Sequence, residues 1–152
     1  MRWTQFYHRL GAESSFAMIA APIQIVIVDD SPLYRNAICN IIQKKQNLQI
    51  VAEAEDGLAA IMAVEKHRPR VVLMDINMPV LNGFDATRVI TTMFPGTYVI
   101  VLTVDTDETF SERAYKAGAC RFLAKDCGKE TLFSAIMDCA PRAAKSCCPD
   151  PI

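Results

Sequence analysis

Asp29 and Asp30 follow the apolar run "IQIVIV", Asp75 follows "VVLM", Thr103 closes "YVIVLT", and Lys125 follows "CRFLA". Singly, each has an ordinary explanation: Asp30 or Asp75 as a cap of the next loop, Thr103 as a β-former, Lys125 as surface charge. Together they place three carboxylates, a hydroxyl and an ammonium just beyond four β-rich runs, and the ordinary account then needs four coincidences. Carboxylates packed together repel and acquire raised pKa values unless a cation holds them. Oxygen-only ligands with open positions suit Mg²⁺, which keeps several waters and bridges to phosphoryl groups. An aspartate beside such an ion can attack phosphorus to give an acyl phosphate. An ammonium and a hydroxyl would then meet the charge on the equatorial oxygens.

This convergence needs a particular scaffold. Strand signals are "IQIVIV", "LQIVAEA", "VVLMD", "TYVIVLT" and "CRFLAK", with helical stretches over 32–45, 57–68, 83–93, 107–117 and 129–140. In the first stretch Leu33, Ala37, Ile38, Ile41 and Ile42 share a face at helical spacing, behind a Ser31-Pro32 start. Gly96 and Gly118 sit where helices hand over to strands. Five βα repeats predict an α/β fold, a parallel sheet covered by helices on both sides through right-handed crossovers. In such sheets functional groups gather beyond the carboxyl ends of the strands.

Composition agrees with one domain. The chain has 152 residues, 22% charged and 51% hydrophobic, with a formal net charge of -1. That offers no broad attraction to nucleic acid or an acidic membrane, and no apolar run reaches spanning length. "SFAMIAAPIQIVIV" faintly resembles a signal-peptide core, but Pro22 interrupts it, so a cytoplasmic protein is expected. Six cysteines lack C-x-x-C pairs and histidine neighbours, and they read as free thiols, Cys139 in the core and Cys147 and Cys148 in the tail. The repeats fill 23–140. Residues 1–22 form an extension, expected to be a frayed leader or misassigned start although Trp3, Phe6, Tyr7 and Leu10 fall at helical spacing, and 141–152 form a tail.

"VDDSPLYR", "VLMDINMPVLNGFDA", "VIVLT" and "AGACRFLAKD" resemble the receiver domain of bacterial two-component response regulators, of the subclass that usually carries a helix-turn-helix output. The resemblance covers about 23–140. It implies a flavodoxin-like doubly wound (βα)5 domain with strand order 2-1-3-4-5, and residue roles by position. Asp75 would be the phosphoacceptor; Asp30 would ligate Mg²⁺ directly, with Asp29 helping through water and the Asn77 backbone carbonyl completing the site. Lys125 would serve the phosphoryl group, Thr103 and Phe122 would form the switch pair, and Pro79 and Gly83 would shape the loop after the acceptor. Two positions depart from the usual pattern. Val104 replaces a small residue, and Lys125 precedes Asp126 where many receivers have a cis Lys-Pro bond, a geometry costing about 2.5–4 kcal/mol before a non-proline residue.

The expected function is a stand-alone receiver, not an enzyme on external substrates, taking phosphate from a histidine kinase or phosphotransfer protein. Output is expected by protein contact or self-association through helix four, strand five and helix five, without direct DNA binding, since residues after 140 are too few for a DNA-reading module. Phe133 and Met137 are expected to join Tyr115 there in a partner patch beside Phe122. One rival is an aspartate-nucleophile phosphohydrolase, against which Asn77 is no carboxylate and no cap insertion exists. Another is a receiver-like scaffold that makes no use of phosphate.

Overall fold

The structure, a computed structural model, describes residues 21–140. Five strands, β1 (Ile23–Val28), β2 (Leu48–Ala54), β3 (Val71–Met74), β4 (Tyr98–Thr103) and β5 (Arg121–Ala124), alternate with five helices. The helices are α1 (Pro32–Gln43), α2 (Gly57–His67), α3 (Gly83–Met93), α4 (Glu108–Lys116) and α5 (Lys129–Cys139). All strands pair in parallel, in the order β2-β1-β3-β4-β5. The expected fold class, parallel sheet and strand order are all found.

The two-residue period of a strand explains why the three central strands are apolar at nearly every position. Ile25, Ile27, Val71, Leu73, Ile100 and Leu102 point to one side, where Ile38, Cys39 and Ile42 of α1 meet Leu132, Ala135, Ile136 and Cys139 of α5. Val26, Val28, Val72, Met74, Val99 and Val101 point to the other, against α2, α3 and α4 through Ala60, Val64, Phe84, Ile90 and Ala114. Each such side chain fully removed from water contributes about 1.5–3 kcal/mol, so both faces must be covered.

Helix starts follow local chemistry. Ser31, Asp56, Asn82 and Asp107 each accept a backbone N–H from the first turn that follows. The face of α1 differs from expectation. Leu33 is 82% exposed and Ala37 lies open to solvent, whereas the buried stripe is Ile38, Cys39 and Ile42. The helix carries apolar residues around much of its girth, and the stripe that wins includes Cys39. A shallow cavity lies at the amino ends of β1 and β3, bordered by Ala21, Ile23, Arg70, Gly96, Met137 and Ala140.

Phe133 and Met137 also differ from expectation. The Lys45 ammonium sits 4.9 Å from the Phe133 ring centre, and Asn47 Nδ2 donates to Met137 Sδ at 3.5 Å. Both side chains therefore turn toward the end of α1, away from Tyr115 on α4. The flank of α5 beside β5 carries Glu130, Thr131, Ser134 and Asp138 instead, the last paired with Arg121 at 3.8 Å. Trp3, Phe6, Tyr7, Leu10, Cys147 and Cys148 lie outside the described residues. Cys39, Cys120, Cys127 and Cys139 are free thiols, and no described helix is long and apolar enough to cross a membrane.

Candidate functional site

The sheet's hydrogen-bond ladder runs one step past β1 and β3. Asp29 N–H donates to the Ala54 carbonyl at 3.0 Å and Asp75 N–H to the Val28 carbonyl at 2.9 Å. This fixes both carboxylates at neighbouring strand ends. Asp29 is 1% exposed and Asp75 6%, while Asp30 stands at the rim. One oxygen from each of the three carboxylates lies within 4.8 Å of the others. Lys125 reaches in from the end of β5, its Nζ 2.5 Å from Asp29 Oδ2 and 3.4 Å from Asp75 Oδ2. The Lys125–Asp126 peptide is trans, as are all described peptide bonds.

The remaining contacts orient these groups. Asp29 Oδ1 accepts the Ser31 N–H at 2.9 Å, and Asp75 Oδ1 accepts the Ile76 N–H at 2.8 Å. Asp75 Oδ2 is thereby the oxygen on the Lys125 side. Thr103 is fully buried at the end of β4; its hydroxyl accepts the Asp105 N–H at 3.1 Å, leaving its own hydrogen to donate elsewhere. The Thr103 carbonyl also accepts the Lys125 N–H at 2.9 Å, tying the two candidates together. Phe122, half-buried, packs on the core that holds Met74 and Val101. Asn77 is exposed, with its amide donating to Asp105 Oδ2 at 2.7 Å across the mouth of the site. Val104 is 72% exposed, so its branched side chain stands in solvent rather than filling the pocket.

The loop after Asp75 is held tightly. A Cβ on Gly83 would overlap the Asp75 carbonyl oxygen, so only glycine lets α3 start this close to the acceptor strand. Gly83 N–H donates to the Ile76 carbonyl at 2.8 Å. Between them, Leu81 N–H reaches back to the Pro79 carbonyl at 2.7 Å around Val80, whose φ of 67° is a strained value for a β-branched residue.

Electrostatically the pocket is short of positive charge. Burial first, and the Asp29 charge second, push Asp75 from 3.8 up to about 6, against the opposing pull of Lys125 and the Ile76 N–H. One ammonium faces three carboxylates, all hard oxygen donors. That imbalance and donor set fit a divalent cation, so the cluster could hold a metal ion.

Reading the sequence alone missed two contributors, both in the first turn of α1. Arg35 Nη1 donates to the Asp29 carbonyl at 2.5 Å, and its Nε lies 3.4 Å from Glu53. The Tyr34 ring lies under Lys125, with its centre 4.3 Å from Nζ. Their signal was position: they follow Asp29 by five and six residues, in the first turn of the helix that starts there.

The profile described as "Response regulator receiver domain" matches residues 25–137. The chain is 40% identical over 114 residues to the transcriptional regulatory protein DegU of Brevibacillus brevis, covering 75% of this chain and 48% of that protein. It is 35% identical over 115 residues to the transcriptional regulatory protein LnrK of Bacillus subtilis, covering 76% and 52%. The chain thus spans about half the length of these curated relatives. Among solved structures, the signal receiver domain of the putative response regulator NarL from Mycobacterium tuberculosis superposes with a TM-score of 0.77 at 28% identity, covering 80% of this chain and 98% of that one.

Proposed function

From the premise that this chain belongs to the response regulator receiver family, we propose that it accepts a phosphoryl group on Asp75. The observation that carries the reading is the meeting of Asp29, Asp30, Asp75 and Lys125 beyond the carboxyl ends of β1, β3 and β5. The donor is a phosphohistidine of a histidine kinase or phosphotransfer protein. Asp75 Oδ2 attacks phosphorus, the O–P bond forms as the N–P bond breaks, and the departing imidazole keeps the electron pair and takes a proton from water. Mg²⁺, held by Asp30, Asp75 and the Asn77 carbonyl with Asp29 helping through water, would neutralise the charge gathered on the phosphoryl oxygens. Lys125 leaves Asp29 for one of those oxygens. The Thr103 hydroxyl donates to another, and its movement opens space for Phe122 to turn inward. Asn77 and Asp105 flank the mouth, where a water can approach phosphorus in line and return the site to its resting state.

The phosphohydrolase alternative is not favoured, because the chain belongs to a family of regulators and Asn77 supplies no second acid beside Asp75. The domain spans 23–140 and works in the cytoplasm. Its output is protein contact on the face formed by α4, β5 and α5, which Tyr115, Arg121, Thr131 and Ser134 supply in place of Phe133 and Met137. Direct nucleic-acid binding by this chain finds no support in a net charge of -1.

Mass spectrometry after treatment with acetyl phosphate and Mg²⁺ tests the acceptor. One phosphoryl adduct is expected, absent without a divalent cation and absent in Asp75→Asn. An adduct retained by Asp75→Asn refutes the assignment.

A further inference from the structure

Among the described residues Lys125 is the one cation that touches the two buried carboxylates, and it is pulled in two directions. It sits closer to Asp29, at 2.5 Å, than to Asp75, at 3.4 Å. Phosphoryl transfer to Asp75 needs it on the Asp75 side, and a dication bound among the carboxylates would repel it. A lysine side chain is long, flexible and strongly hydrated, so a repelled ammonium would readily swing into water. What opposes that escape is the third group on Lys125. The face of the Tyr34 ring lies 4.3 Å from Nζ, well inside cation–π range, on a residue that also packs against the α1/α5 core.

We infer that Tyr34 is a positioning residue for Lys125: its ring face keeps the ammonium over the pocket while the ion exchanges Asp29 for the phosphoryl group on Asp75. An aliphatic side chain of similar bulk would fill the same space without the quadrupole that attracts a cation. The phenol hydroxyl does not explain the residue, since the buried Oη has no hydrogen-bond partner among the described residues. Nor is Tyr34 available as a proton donor or base, because burial and then the Asp29 charge push its phenol far above the usual tyrosine range. The ring is the part that is used. This inference rests on Asp75 being the phosphoacceptor.

The test is the initial rate at which acetyl phosphate with Mg²⁺ labels Asp75, followed by intact-protein mass spectrometry. Tyr34→Leu is expected to slow labelling about tenfold, in line with a partly desolvated cation–π contact, with Mg²⁺ affinity unchanged. Tyr34→Phe, which keeps the ring, is expected to recover most of that rate. Because Tyr34→Leu also alters packing, 4-cyanophenylalanine at position 34 supplies a ring of nearly the same shape with an electron-poor face, and it too should label slowly. In a Lys125→Ala background all of these differences should vanish, because the ring acts only through the ammonium. The inference is overturned if Tyr34→Leu and the cyano variant label at the wild-type rate, or if they lose as much in the Lys125→Ala background. Failure of wild-type protein to label at all would instead overturn the phosphoacceptor reading, and this inference with it.

Discussion

Removing the charge of Asp75 should make the metal-free protein more stable, although it destroys the proposed acceptor. Asp75 is 6% exposed, and in the fold its carboxyl titrates at about 6 instead of 3.8, chiefly through burial and then the Asp29 charge. An acid whose folded pKa is raised holds its proton more tightly when folded, so stability falls as pH rises between the two values. Below both values there is no penalty. Above both, the ionised group costs the fold about 3 kcal/mol, from a rise of about two pH units at 1.36 kcal/mol each. Integrating the same two values gives about 1 kcal/mol at about pH 4.5 and nearly the full 3 kcal/mol at about pH 7.5. Asp75→Asn keeps the shape and removes the charge. In EDTA at about pH 7.5 it should melt about 10 °C higher than wild type, at a few degrees per kcal/mol for a domain of this size. At about pH 4.5 the gain should shrink to about a third. Saturating Mg²⁺ should narrow the gap by stabilising wild type more than the variant. Urea unfolding at the two pH values measures this directly. A variant no more stable than wild type at the higher pH, or one equally stabilised at both, would refute the claim that an ionised Asp75, only partly compensated by Lys125, destabilises the fold.

Two further perturbations act on the loop after the acceptor. Gly83→Ala should destabilise the domain by about 3 kcal/mol, because the new methyl overlaps the Asp75 carbonyl oxygen and backbone must move; wild-type stability in urea would contradict this. Val80→Gly should stabilise it by about 1 kcal/mol, because glycine adopts the φ of 67° without the strain a β-branched residue bears there, and a lower urea midpoint would count against strain at that turn.

The architecture was legible because it rests on redundant signals. Four apolar runs each ended in a reactive side chain, and helices between them left few topologies open. Legibility failed where one helix face had to be chosen from several. Leu33, Tyr34, Ala37, Ile38, Cys39, Ile41 and Ile42 make α1 apolar on most sides, so spacing permitted a stripe through Leu33, whereas packing selected one through Cys39 and left Leu33 82% exposed. Tyr34 was missed for the same reason, since its contact with Lys125 depends on that rotation. Phe133 and Met137 were set on the wrong flank of α5 because a one-turn separation fixes a line along a helix without saying which neighbour it meets. The Asp75 pKa lay beyond sequence reading altogether, since it comes from burial and from a carboxylate 46 positions away in the chain.

Ala21 and Ala140 border one cavity at the amino ends of the strands, at the pole opposite Asp75. The described span therefore begins and finishes at the same pole of the sheet. A flexible bridge between those points would close the chain on itself at that pole and leave the sheet order unchanged. The same geometry lets a fluorescent reporter or a surface anchor be attached at that pole without shading the mouth of the acidic pocket.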